Sequence, residues 1–133
     1  MKTITFIITA LLLAVSTSAF ASGAIAVASD GSNNNGYAYG LNHDYPDQAS
    51  AKAAALAKCE ENRIKYGIAA ACEIVTWYVN GCGAFATASN GANSWAWRDT
   101  SGEAGPAAVK NCNDRGGGTS CQLQHVECDG TAK

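Results

Sequence analysis

The stretch GAIAVASDG at residues 23–31 returns as GAFATASNG at residues 83–91, and this repetition decides the fold. Two further matches follow in the same order along the chain. AALAKC, which ends at Cys59, resembles AAVKNC, which ends at Cys112, and CEIVTW from Cys72 resembles CQLQHV from Cys121. Self-similarity over several tens of residues is typical of a duplicated supersecondary unit. The sequence therefore predicts two copies of one structural unit.

The first copy begins with a predicted β-hairpin. Residues 24–28 form a short apolar run, and residues 37–39 alternate aromatic and small side chains, which favours strands. Between them, residues 29–35 are rich in Gly and Asn, which suits a turn. GYAYG at residues 36–40 resembles SWAWR at residues 94–98, so we expect the second copy to carry an equivalent strand.

A helix and a third strand complete the predicted unit. Asp47 after Pro46 is a suitable N-cap for an Ala-rich helix that continues to about Lys65 and stops at Gly67. Small side chains let such a helix approach a sheet closely, and Ala has the best helix propensity. Residues 73–79 are rich in β-branched and aromatic residues, which predicts a strand. Each copy is therefore expected to be β-β-α-β.

The second helix has two possible starts. Thr100 with Glu103 forms a capping-box pattern, but Gly105-Pro106 then falls inside the first turns. The sequence leaves both starts open; from Pro106 the helix would run to about Asn113, before three consecutive glycines.

These units predict a single α+β domain over residues 22–133, made of two β-β-α-β repeats at about residues 23–81 and 82–130. The expected architecture is an antiparallel sheet packed by Ala-rich helices, with pseudo-two-fold symmetry between the copies and three disulfides. A chain of 133 residues is too short for more than one such domain.

The first 21 residues have the pattern of a secretory signal peptide. Lys2 precedes an apolar run at residues 4–15, and Ala19-Phe20-Ala21 is a small-x-small cleavage site. The apolar run is shorter than the roughly 20 residues that a membrane-spanning helix needs. We therefore expect a periplasmic or secreted protein without membrane insertion.

Charge argues against nucleic acid as a partner. Nine basic and eleven acidic residues give a formal net charge of −2, and charged residues make up 15% of the chain. The sequence has no run of basic residues. Domains that bind nucleic acid, in contrast, concentrate Lys and Arg on one face.

Six cysteines in a small exported domain predict three disulfides. The repeat favours a symmetric solution, because Cys59 and Cys112 end equivalent helices while Cys72 and Cys121 begin equivalent strands. Within each copy the helix Cys then pairs with the strand Cys, which leaves Cys82 to pair with Cys128. Crossed pairing between the copies is also symmetric. No CxxC pair occurs and only two His are present, so we expect no metal site and no cofactor.

The candidate catalytic residues are few. His43-Asp44 could act as a base in the loop before the first helix, but the segment 42–46 is also an ordinary polar loop, and the second copy has no His there. We expect His125 to be a half-exposed residue on a strand face. With no GxSxG motif and every Cys assigned to a disulfide, acyl transfer lacks a nucleophile. The sequence therefore predicts a protein that is not an enzyme.

Four aromatic residues are the candidate binding residues. Tyr37 and Tyr39 share one strand face, as do Trp95 and Trp97, and the repeat aligns the two pairs. If the four side chains are exposed, they form a double platform for a sugar or a protein. If they are buried, they form part of the core. We expect the core for at least one pair, because a small domain with three Trp must bury most of them.

The repeated motif also resembles a known family. A GAIA start, an aromatic-small-aromatic strand, an Ala-rich helix ending in Cys, and the second start CGAFA at residues 82–86 resemble a domain-of-unknown-function family, number 4189, of small exported bacterial proteins. The resemblance implies a small secreted domain and brings no catalytic residues with it.

Function is therefore expected to be non-catalytic binding. The first hypothesis is a protein inhibitor or immunity-like factor whose partner is another protein, because a small stapled domain is a rigid recognition scaffold. The alternative is a carbohydrate or cell-wall module that holds a glycan or peptidoglycan on Tyr37, Tyr39, Trp95 and Trp97. A third hypothesis is a small hydrolase that uses His43.

Overall fold

The computed structural model describes residues 20–29 and 37–133. All but the last two residues of the predicted signal peptide, and most of the first hairpin turn, lie outside this part. The first copy consists of β1 (Ser22–Ser29), β2 (Tyr37–Tyr45), α1 (Gln48–Tyr66) and β3 (Glu73–Val79). The second consists of β4 (Cys82–Thr87), β5 (Asn93–Arg98), α2 (Ser101–Cys112) and β6 (Gln122–Cys128).

Each copy forms its own three-stranded antiparallel sheet, in the order β2-β1-β3 and β5-β4-β6. The first strand of each copy is central. The pairing of β3 with β1 shifts register between Ile25 and Ala26, and that of β6 with β4 shifts between Phe85 and Ala86, which is the same place in both copies. The α+β class and the β-β-α-β order are confirmed, while the pseudo-two-fold axis stays a prediction.

Alanine lets the two helices cover the outer faces of the sheets. Ala51, Ala55 and Cys59 of α1 are buried against Ala24 and Ala26 of β1. The second copy repeats this with small residues of α2 on β4. A Cβ on Gly40 would lie 2.1 Å from the carbonyl oxygen of Ala55, so α1 rests directly on the β2 backbone.

The inner faces of the two sheets pack against each other. Larger side chains fill this layer: Ile25, Val27, Leu41, Tyr78 and Phe85. Strand alternation places Ile25 and Val27 on the inner face while the alanines of the same strand face the helix. The domain therefore has four layers, in the order helix, sheet, sheet, helix.

The first helix has the ends that the sequence predicts. Asp47 is the N-cap, and its Oδ1 accepts a hydrogen bond of 2.7 Å from the backbone N–H of Ser50. Gly67 ends the helix in the left-handed region at φ 68°, where glycine has no steric penalty.

The second helix begins at Ser101, directly after Thr100, so of the two starts that the sequence allows the one at Thr100 is correct and the one at Pro106 is not. The backbone N–H of Ser101 donates to the carbonyl of Lys133 at 2.8 Å, and the Thr100 hydroxyl donates to Glu103 at 3.0 Å. The carbonyl that Pro106 leaves unpaired is that of Gly102, in an exposed turn where water can hydrate it. After Cys112 the chain continues into a π-helical turn, Asn113–Gly117.

The three disulfides join Cys59 to Cys72, Cys112 to Cys121 and Cys82 to Cys128. These are the pairs that the repeat predicts, and the crossed alternative does not occur. The first two each fasten the end of a helix to the next strand. The third joins the first residue of β4 to the last residue of β6, and these two residues lie directly opposite each other in the sheet.

The strand register corrects one predicted equivalence. Gly40 pairs with Ala26 in the first copy, and Ser94 pairs with Ala86, the matching residue of the second. The equivalent of Trp95 is therefore Leu41, not Tyr37, because the shorter second hairpin moves the alignment by four residues. The Tyr pair and the Trp pair thus do not occupy equivalent positions.

Candidate functional site

Two clefts open between the sheets, and they are lined by matching residues of the two copies. The first, of about 530 Å³, includes Val27, Ser29, Ala70, Ala71, Glu73 and Val75. The second, of about 560 Å³, includes their counterparts Thr87, Ser89, Thr119, Ser120, Gln122 and Gln124. The duplication therefore produced two clefts of similar volume whose walls share six matching positions but differ in chemistry.

Among the residues that the structure describes, the first cleft has charged side chains and an indole in its lining, and the second has neither. Glu73 stands exposed on one wall, and Trp95 and Arg115 form the other. The guanidinium carbon of Arg115 lies 4.7 Å from the centre of the Trp95 ring, which is a cation–π contact. Within the part of the chain that the structure describes, no carboxylate lies at salt-bridge distance from Arg115.

The turn after α2 fixes the position of Arg115. Asn90 donates its side-chain N–H to the carbonyl of Gly116 at 2.8 Å, and Asn113 accepts from the backbone N–H of Cys121 at 3.2 Å. The Cys112–Cys121 disulfide closes the same turn. Arg115 is therefore an exposed side chain on an anchored backbone.

The four predicted aromatic residues do not form one exposed platform. Tyr37 and Tyr39 are half-buried between the sheets, and the Tyr39 ring stacks on Phe85 with centroids 4.5 Å apart. Trp95 is half-buried at the mouth of the first cleft. Of the four, Trp97 alone is exposed, at 45%. The two tyrosines therefore pack against the core between the sheets, and a role of the four residues in binding stays a prediction.

A second polar cluster lies at the other edge, where β2 and β6 end together. His43 is in β2, not in a loop as expected, because that strand continues to Tyr45. Its Nδ1 lies 2.8 Å from Asp44 Oδ2, and its Nε2 lies 3.7 Å from Glu127 Oε2. His125 is half-exposed as predicted, and its Nε2 lies 2.7 Å from Glu127 Oε1.

Asp129 is the buried member of this cluster. It is 0% exposed, and its Oδ1 accepts the backbone N–H of Asp44 at 2.7 Å. In return Asp44 Oδ1 accepts the backbone N–H of Gly130 at 2.7 Å. Asp129 Oδ2 and Glu127 Oε2 are buried atoms with no hydrogen-bond partner among the residues described. Buried carboxylate oxygens without partners are costly and therefore need a compensating group.

The surroundings move the pKa values of three acids here. Burial raises the pKa of Asp129, and the neighbouring Asp44 carboxylate adds to the rise. The Gly130 N–H and the His43 ring lower the pKa of Asp44. Burial, together with the charges of Asp129 and Glu127, strongly raises the pKa of Tyr78.

Sequence reasoning found part of both sites and missed the rest. Trp95, His43 and His125 were singled out as aromatic or ionisable residues, but Glu73, Arg115 and Asp129 were not. Arg115 sits in a glycine-rich stretch, and Asp129 is 85 residues from the N–H that it accepts. A sequence motif with fixed spacing cannot detect residues this far apart in the chain, because only the fold brings them together.

The architecture defines the class as a small disulfide-linked α+β domain of two β-β-α-β units. The chain belongs to the family described as domain of unknown function (DUF4189), whose model matches residues 22–128. Comparison with curated proteins and with solved structures finds no match. Neither helix in residues 20–29 and 37–133 has the length and hydropathy that a bilayer crossing requires.

Proposed function

We propose that this chain is an exported, non-catalytic binding protein that recognises another protein through its first cleft. The observation that carries the proposal is the Trp95–Arg115 pair in a cleft that Glu73 also lines, a combination that the second cleft does not have among the described residues. Trp and Arg are the residues most enriched among those that dominate binding energy at protein interfaces.

The chemistry of the cleft indicates an acidic loop as the part of the partner that enters it. The cation–π contact with the indole holds the Arg115 guanidinium at the cleft. Arg pairs best with carboxylates, through two parallel hydrogen bonds. Glu73 on the opposite wall would accept a backbone or side-chain donor of the same loop.

Rigidity supports recognition. Two of the disulfides lie beside the cleft, since Cys72 precedes Glu73 and Cys112 precedes the turn that bears Arg115. A preorganised site loses little conformational entropy on binding. The finer form of the proposal is that the partner is an enzyme and that this domain inhibits it or protects the producing cell from it.

Catalysis receives no support from the residues around the two histidines. All six cysteines are disulfide-bonded, and the contacts recorded for His43 and His125 are to carboxylates and an aromatic ring. The glycan alternative loses its main argument, because it needed four exposed rings on one platform.

Affinity capture with the mature domain, followed by titration of the purified partner, tests the proposal. Arg115→Glu should weaken binding at least tenfold, because the reversed charge repels a carboxylate. Arg98→Glu is the matched control: Arg98 is also exposed but lies outside the cleft, and its change should alter affinity less than twofold.

Equal losses in the two Arg variants would contradict the cleft as the binding site. Retention of the domain by peptidoglycan or another glycan, with no protein partner captured, would contradict protein recognition. If a captured enzyme is bound with no loss of its activity, the inhibitor form of the proposal is wrong and binding alone remains.

A further inference from the structure

The second polar cluster points to a function separate from the cleft. We propose that His43, Asp44 and Asp129 form a binding site for one zinc ion. The site lies where the end of β2 meets the segment after β6, so it joins the first copy of the repeat to the second.

The three side chains already converge. Each offers one ligand atom, and these atoms lie within 4.8 Å of one another. In a tetrahedral zinc site with bonds of about 2.0–2.2 Å, neighbouring ligand atoms are about 3.3–3.6 Å apart. Small side-chain rotations therefore bring one nitrogen and two oxygens to coordinating distance, and solvent supplies a fourth ligand.

Asp129 provides the independent sign that a ligand belongs here. The residue is 0% exposed, yet its Oδ2 has no hydrogen-bond partner among the described residues. Its Oδ1 is already held by the Asp44 N–H, which fixes the carboxylate in the cluster. An uncompensated buried carboxylate is unfavourable, and a divalent cation would compensate it.

The groups around His43 suit a metal-bound imidazole. When Nδ1 binds the ion, Nε2 carries the proton and faces Glu127 Oε2, which is 3.7 Å away and otherwise unpaired. His125 fixes the other oxygen of Glu127 at 2.7 Å. A carboxylate that holds the second nitrogen of a histidine ligand is the common outer-sphere arrangement at zinc sites.

The donor set selects zinc over calcium. Calcium takes six to eight oxygen ligands, whereas this cluster offers one imidazole nitrogen and two carboxylates. Imidazole with carboxylates suits zinc. The two histidines and three carboxylates of this cluster come from both copies of the repeat, so no sequence motif with fixed spacing predicts them.

Calorimetric titration of the tag-free mature protein with Zn²⁺, after removal of metal with EDTA, tests the site. We expect one ion per chain and a higher melting temperature with Zn²⁺. Asp129→Asn should weaken Zn²⁺ binding at least tenfold while keeping an oxygen that accepts the Asp44 N–H. Asp114→Asn is the matched control, since Asp114 is an exposed aspartate outside the cluster whose carboxylate pairs with Lys110, and this variant should bind Zn²⁺ like the wild type.

His43→Gln guards against a folding artefact, because its side chain is 41% exposed and its loss leaves the buried carboxylate in place. It should also weaken Zn²⁺ binding at least tenfold with the circular dichroism spectrum unchanged. Failure of the wild type to bind Zn²⁺, tighter binding of Ca²⁺ than of Zn²⁺, or unchanged affinity in both ligand variants would overturn the proposal.

Discussion

At the scale of single residues, Tyr78 links the two copies. It is 2% exposed, and its ring lies against Gly23 of β1 and Gly83 of β4, where an added Cβ would come within 2.4 and 2.5 Å of ring atoms. These glycines open both copies of the repeated stretch. Their recurrence was visible in the sequence, but the ring that fills the space beside them was not, because Tyr78 has Glu127 as its counterpart in the second copy.

Tyr78→Phe should change stability in a pH-dependent way. Near neutral pH the loss should be below about 1 kcal/mol, since the hydroxyl donates to the Asn42 carbonyl at 3.5 Å, the limit for a hydrogen bond. The pKa of Tyr78 is raised by burial first and then by Asp129, Glu127 and Asp44. A raised folded-state pKa means that stability is fully present below the unfolded pKa of 10.0 and is lost as the pH rises through the folded value.

Urea unfolding of both forms from pH 7 to pH 11 measures this difference. The wild type should lose stability relative to Tyr78→Phe above pH 10. Parallel pH profiles for the two forms would contradict the burial of the hydroxyl beside these carboxylates.

At the scale of elements, close contact between helix and sheet explains the alanines. The start of α1 at its Asp47 cap, its end at Gly67 and the strand Glu73–Val79 could all be predicted, because local chemistry determines them. The start of α2 could be narrowed to two positions, but the sequence did not choose between them. Its first turns are held by the carbonyl of Lys133 and by burial of Ala104, which are tertiary contacts that outweigh the local signal of Pro106.

Gly40→Ala should destabilise the domain by about 1–3 kcal/mol or more, because its Cβ would overlap the backbone of α1. The matched control is Gly102→Ala in α2, where an added Cβ meets nothing within 4 Å. That change should be neutral or stabilising, by up to about 1 kcal/mol, since Ala is the better helix former. Thermal or urea unfolding compares the two, and equal effects would contradict the close contact of α1 with β2.

At the scale of the whole molecule, duplication accounts for the disulfides and for the paired clefts. The repeat was sufficient to select one cysteine pairing. It was not sufficient to predict the face-to-face packing of two sheets, because strand patterns do not say which sheet a strand joins. The clefts and the zinc cluster both depend on that packing, so neither could be predicted from the sequence.

The disulfides should differ in their contribution to stability. Cys82 and Cys128 are 46 residues apart, against 13 for Cys59–Cys72 and 9 for Cys112–Cys121. In the chain-entropy model these separations correspond to about 4 kcal/mol for the first pair and about 3 kcal/mol for each of the others. Unfolding of the three double Cys→Ala variants tests this order, and a smaller loss for the Cys82–Cys128 pair than for the others would contradict it.

Hydrogen exchange of the domain, measured alone and with its captured partner, tests most directly the claim that one of two equivalent clefts became a binding site. We predict protection of backbone amides at residues 70–75 and 91–95, which line the first cleft, and unchanged exchange at residues 119–124 of the second. Protection confined to residues 119–124, or to neither cleft, would contradict the account.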